Sequence, residues 1–142
     1  MGKARELAEE YFGALSAGNV ERAMDLFSGD ADFVSPAGRM RGPDQIRPFL
    51  TVFATAFPEA RFSIDHVVES GATASVEGRY TGTQAGPLAT PDGGAIPATG
   101  KAVDIPYVTL IEIQGERITA HRAYWDQLAF MTQLGLGPPP RS

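Results

Sequence analysis

The sequence predicts an α+β domain, in which a curved antiparallel sheet is covered on one face by helices, and three observations carry that prediction. Up to Phe57, apolar residues recur at spacings of three and four; past Pro58 the period changes to two and, interrupted at residues 85–100, runs as far as Trp125; a short apolar tail at residues 128–134 then returns to helical spacing. Spacings of three and four mark one face of a helix, and a period of two marks a half-buried strand. Helices grouped ahead of a run of antiparallel strands pack on one side of the sheet. A strongly twisted sheet closed on one side tends to leave a cone-shaped hollow, the natural place for a ligand.

Taken in order, Leu7, Tyr11, Ala14 and Leu15, with Ala8 and Phe12 beside them, predict an amphipathic helix over residues 5–17, stopped by Gly18. Asn19 is a good N-cap for a second helix over residues 20–27, with Glu21 in the first turn where the dipole favours an acid. Residues 31–34 are a short strand and residues 35–38 a turn. Ile46, Phe49, Leu50, Phe53 and Phe57 give a third helix, in which Pro48 either occupies the first turn or introduces a kink. Phe62, Ile64, His66 and Val68 then share one face of a strand, followed by a turn at residues 69–71. A partner strand over residues 72–83 carries Ala74, Val76, Gly78 and Tyr80 on one face, so the two form a hairpin. Residues 85–100 contain three prolines and four glycines, too many breakers for a regular element. Loops of that length are commonly functional, and a lid that is mobile without ligand and shields the hollow with it is the expectation. A strand over residues 102–113, a tight turn and a returning strand over residues 117–125 complete the sheet.

The 142 residues suit one domain spanning 1–142 with a single core. The net charge of −5 comes from interspersed acids, and no Lys/Arg stripe exists to hold a phosphate backbone, so nucleic acid is not an expected partner. No apolar run approaches the roughly 20 residues a spanning helix needs, and the start Met1-Gly2-Lys3-Ala4-Arg5-Glu6 lacks a signal-peptide core. A cytoplasmic protein with no membrane partner is expected. The absence of cysteine excludes disulfides, thiol nucleophiles and thiolate metal sites, and with only His66 and His121 a histidine-rich metal site is not expected either. Whatever chemistry occurs is expected to need no metal or cofactor.

The last strand holds the leading candidate. If its parity is unbroken, Ile118, Ala120, Arg122, Tyr124 and Asp126 share one face and His121 points to the other, toward the exterior or a subunit contact. Asp126 has two readings: a general base whose pKa an apolar hollow raises, or the N-cap of the terminal helix. Arg122, two positions away, either pairs with Asp126 and lowers its pKa or faces a substrate oxygen and stabilises negative charge there. His66 is a cavity residue or a satisfied core histidine. Tyr11 directs its hydroxyl into the hollow or packs in the core. Asp104 starts a strand beside the loop, with a solvated edge as the default. Phe33, Phe49, Phe53, Tyr80, Tyr107 and Tyr124 suit a planar polycyclic ligand and equally suit an ordinary core.

The ordered segments Arg41-Gly42, Phe57-Pro58-Glu59, Thr81-Gly82-Thr83-Gln84-Ala85-Gly86, Pro97-Ala98-Thr99-Gly100-Lys101, Asp126-Gln127-Leu128 and Gln133-Leu134-Gly135 together resemble the SnoaL-like polyketide cyclases. These belong to the superfamily of cone-shaped domains, cystatin-like or nuclear transport factor 2-like, that includes ketosteroid isomerase and limonene epoxide hydrolase. The set covers almost the whole chain and is specific for the family, less so for a reaction, because one fold hosts unrelated functions. The resemblance implies a cofactor-independent intramolecular aldol ring closure of a polyketide-like substrate, with Asp126 as the acid/base group, and a homodimer or higher homo-oligomer. Gln84 stands where the family often has His, so a binding role survives there and an acid/base role does not. Arg122 replaces an expected aromatic residue. The substrate-binding set expected is therefore Tyr11, His66, Gln84, Asp104, Tyr107, Arg122 and Tyr124. The alternatives are an epoxide hydrolase-like or ketosteroid isomerase-like enzyme, the former using Asp104, Arg122 and Asp126 together, and a non-catalytic binding or interaction module. A filled cone favours the module; an open one with Asp126 at its depth favours an enzyme.

Overall fold

A computed structural model that describes residues 2–90 and 92–136 has four helices and nine strands; the second helix ends before Phe27, which opens a longer strand than expected, and the short strands at 38–41, 88–89 and 95–96 go beyond what the periodicity predicts. The order is α1 (Lys3–Ser16), α2 (Val20–Met24), β1 (Phe27–Ser35), β2 (Gly38–Arg41), α3 (Pro43–Ala56), β3 (Arg61–Phe62), β4 (His66–Ser70), β5 (Thr73–Thr83), β6 (Leu88–Ala89), β7 (Ala95–Ile96), β8 (Ala102–Gln114), β9 (Arg117–Trp125) and α4 (Gln127–Gln133). The main sheet runs β2-β1-β9-β8-β5-β3, with β4 also on β5. Its neighbours are antiparallel except β1 and β9, which run parallel. That parallel pair draws the β1–β2 hairpin onto the C-terminal strand and curves the sheet around α1 and α3.

Local chemistry sets the helix ends. Asn19 Oδ1 accepts from Arg22 N at 3.0 Å and caps α2. At α3, Gly42 takes a φ of 77°, which L side chains rarely adopt, and Pro43 opens the helix. The helix thus begins earlier than the apolar spacing suggests, and Pro48 lies within it, where its ring forgoes the bond to the carbonyl four residues back. α1 has no cap from its own N-cap residue; Glu69, at the end of β4, supplies it by accepting from Gly2 N and Arg5 N, both at 2.9 Å. Those backbone hydrogen bonds, Arg5's first, hold the Glu69 carboxyl below its usual pKa.

Two irregularities decide which side chains face the helices. Between β8 and β9, Ile113 pairs with Ile118 but Glu112 pairs with Ala120, so Thr119 is an extra residue. Between β3–β4 and β5, Phe62 pairs with Tyr80 and His66 with Glu77, which sets a step of four residues against a step of three. An odd insertion reverses the face of every side chain beyond it. The second irregularity has a visible cause: a Cβ on Gly78 would stand 1.8 Å from the Ser63 carbonyl oxygen, so only glycine admits the bulged segment there. The Tyr107 hydroxyl donates to that same carbonyl at 2.8 Å.

Residues 85–100 hold the β6–β7 hairpin and are anchored by one side chain. Gln84 is 0% exposed; its Nε2 donates to the carbonyls of Gly86, Ile96 and Pro97 at 3.2, 3.3 and 3.2 Å. Its Oε1 accepts from Thr99 N at 3.3 Å and Thr99 Oγ1 at 2.8 Å. The segment packs on α3, with Ala85 N and Gly86 N donating to the Ala56 carbonyl. The loop expected as a lid is pinned by a buried amide, and none of its described residues lines the cavity described below. Among the described residues, no helix is long and apolar enough to cross a membrane.

Candidate functional site

The concave face of the sheet and the helices enclose a cavity of about 110 Å³. α1 contributes Tyr11 and Phe12, α3 contributes Phe49 and Phe53, and α4 contributes Phe130; Phe33, Tyr80, Tyr107, Thr109, His121, Ala123 and Trp125 come from the strands. No Asp, Glu, Lys or Arg lies among the lining residues. An engineered apolar cavity of about 150 Å³ accepts benzene.

The polar groups of the cavity are all uncharged. Burial raises the pKa of the Tyr11 and Tyr80 hydroxyls, so both remain protonated at any physiological pH. Tyr107, raised by burial and then by Asp65, is already committed to the Ser63 carbonyl. The Trp125 indole N–H donates to Gln127 Oε1 at 2.8 Å. His121 is 3% exposed and lies parallel to Phe33, with ring centroids 4.2 Å apart and an interplanar angle of 6°. Tyr11 meets the same imidazole edge-on at 5.2 Å. Burial pushes the His121 pKa down to about 3, so the ring is neutral. Its Nδ1 is buried without a hydrogen-bond partner.

Of the residues expected from sequence, Tyr11 and Tyr107 line the cavity. The others stand elsewhere, and the register explains most of them. The extra residue Thr119 turns Arg122, Tyr124 and Asp126 away from the helices and brings His121, Ala123 and Trp125 inward. Tyr124 is 52% exposed, and Arg122 pairs with Glu112 at 2.5 Å rather than with Asp126. Asp126 is exposed, and its Oδ1 accepts from Ala129 N at 2.9 Å, capping α4. The step between β3 and β4 turns His66 outward in the same way. Asp104 is exposed and bonded to Arg79 at 2.7 Å, so Asp104, Arg122 and Asp126 do not converge. Gln84 is buried but faces the loop it anchors. His121 is the cavity residue that an unbroken period of two assigns to the wrong face. The only signal for it was that Ala123 and Trp125, on its parity, are as apolar as the residues opposite.

The family model described as SnoaL-like domain matches residues 8–121. No curated protein matches the chain. Among solved structures, a candidate SnoaL-like polyketide cyclase from Jannaschia sp. CCS1 superposes with a TM-score of 0.82 at 24% identity, covering 96% of this chain and 94% of that one. AclR, a candidate hydroxylase from Streptomyces galilaeus, gives 0.80 at 16% identity over 95% and 97%. TerC, co-crystallised with polyporic acid, gives 0.75 at 15% identity over 94% and 99%. The fold is that of the nuclear transport factor 2-like proteins.

Proposed function

The chain belongs to the SnoaL-like domain family, and from that membership and the cone we propose that it binds a neutral, planar, largely apolar small molecule and closes a ring in it by cofactor-independent aldol chemistry of the polyketide-cyclase kind. One observation carries this: the cavity is walled by aromatic rings and its polar groups are uncharged hydroxyl, imidazole and indole groups. Aromatic walls favour a flat ligand. A charged ligand would lose its hydration and find no counter-ion. TerC, co-crystallised with polyporic acid, and a candidate polyketide cyclase share this fold, which supports a small-molecule site.

In the ring closure proposed, the cone folds the substrate so that an enol carbon lies against a carbonyl carbon. The new carbon–carbon bond forms between them, and the enol proton ends on the former carbonyl oxygen, so no outside acid or base is consumed. Holding the two carbons in contact supplies most of the acceleration. The Tyr11 and Tyr80 hydroxyls donate to the oxygen on which charge grows. Asp126 plays no part while it caps α4; to act as the base that the resemblance implies, it would have to leave Ala129 N and turn into the cavity, which it does not line.

The single tryptophan lines the cavity, so its fluorescence reports occupancy, and the absence of cysteine allows a quinone to be used without thiol addition. Titration with 1,4-naphthoquinone is expected to quench Trp125 saturably. The corresponding 2-sulfonate should need at least about tenfold more, the worth of roughly 1.4 kcal/mol. Equal quenching by both would contradict a neutral-ligand site.

A further inference from the structure

His121 buries a polar ring that its packing leaves unsatisfied. A neutral imidazole carries one donor nitrogen and one acceptor nitrogen. Among the described residues, no side-chain hydrogen bond reaches this ring, and Nδ1 is fully buried and unpartnered. Leaving a buried polar group unsatisfied is costly, and such groups in native proteins call for an explanation. An apolar ring in this position would stack on Phe33 equally well and meet Tyr11 equally well, so packing alone does not account for a histidine. No side chain of another residue fixes which nitrogen is protonated, and only the ring's own backbone pulls on the imidazole, so a ligand in the cone can bias the tautomer.

We propose that His121 is the specificity-determining residue of the cone, its imidazole accepting a hydrogen bond from a hydroxyl, phenolic or enolic, of the planar ligand while the neighbouring Tyr11 hydroxyl addresses an adjacent ligand oxygen. The inference rests on the cone being the ligand site and adds what that ligand must carry. Hydroxyl hydrogens are strong donors, and the imidazole is the strongest neutral acceptor in the cavity wall. The low proton affinity of the buried ring keeps this a neutral hydrogen bond: the ligand's proton is held and oriented, not removed. In a ring closure that moves an enol proton to a carbonyl oxygen, the same contact would select the enol and aim its hydroxyl.

The test compares 2-naphthol with 2-methoxynaphthalene, which has nearly the same shape but no hydroxyl donor, by calorimetry on the intact protein and on His121→Phe. The expected result is a preference for the naphthol of about tenfold or more in the parent, falling to within about twofold in His121→Phe, with ether binding retained. In the parent, the His121 ring-nitrogen NMR signals should move on adding naphthol and stay in place on adding the ether. Those signals separate ligand recognition from a merely structural role and require no variant to fold. If both compounds bind the parent equally and both quench Trp125, the role of His121 is overturned while the cone stands. If neither quenches Trp125, the cone itself is not the site and both proposals fall.

Discussion

At the scale of single residues, Asp126 and His121 exchange the places that a simple alternation gives them, and each exchange has a measurable consequence. Asp126 is a cap, and asparagine caps as well as aspartate. Asp126→Asn should therefore leave stability unchanged within a few tenths of a kcal/mol, while Asp126→Ala loses about 1 kcal/mol in chemical denaturation. Ring closure, if it depends on positioning, should survive Asp126→Asn; a loss of several orders of magnitude would restore the carboxylate as base. For His121, the sign follows from a folded pKa of about 3 against an ordinary value of 6.5. The unfolded chain takes up the proton first as pH falls, so this contribution to stability is complete above about 6.5 and is lost from there down toward 3, by up to about 1.4 kcal/mol per pH unit. His121→Phe has no such group. The gap between variant and parent, from denaturation midpoints at pH 7 and pH 5, should widen toward acid in favour of the variant.

At the scale of elements, the first and third helices and the long strands of the sheet were legible because their apolar periods are long and unmixed, whereas the second helix, the strand from Phe27 and the short hairpin strands were not, because they are too short or too polar to show a period. What could not be read was the register, since one extra residue such as Thr119 changes no composition yet reverses a face, and Gly78, whose lack of a side chain permits the second irregularity, looks like any strand glycine in sequence. The loop at residues 85–100 failed differently: its breakers are visible, but the buried Gln84 that gathers them is one polar residue among many. Gln84→Leu should orphan the Thr99 amide and the carbonyls of Gly86, Ile96 and Pro97. A loss of roughly 3 kcal/mol or more is expected, with proteolysis beginning at residues 85–100. An unchanged midpoint would show that the amide is not the anchor. Glu69 docks β4 on the start of α1, and its lowered pKa means that this contribution is present above the ordinary carboxylate range and is lost as pH falls through the folded value. Glu69→Gln should flatten the acid limb of the stability profile.

At the scale of the molecule, the cone and its aromatic wall were foreseeable from helices grouped ahead of a twisted sheet, and its contents were not, because they depend on both bulges at once. Phe33, Phe49, Phe53, Tyr80 and Tyr107 line the cavity as expected, whereas Tyr124 stands outside with Val68, which is 69% exposed. The homo-oligomer that the family resemblance implies is checked on that outer face: a shift of Tyr124→Glu toward monomer in sedimentation supports a contact there, and unmoved sedimentation counts against it. The central claim is that the ligand sits inside, among the rings. Intermolecular NOEs from bound 2-methoxynaphthalene test it most directly. The account predicts cross-peaks to Phe33, Phe53, Tyr107 and Trp125, and it is contradicted if they run instead to Val68, Tyr124 or Leu128 on the exposed surface.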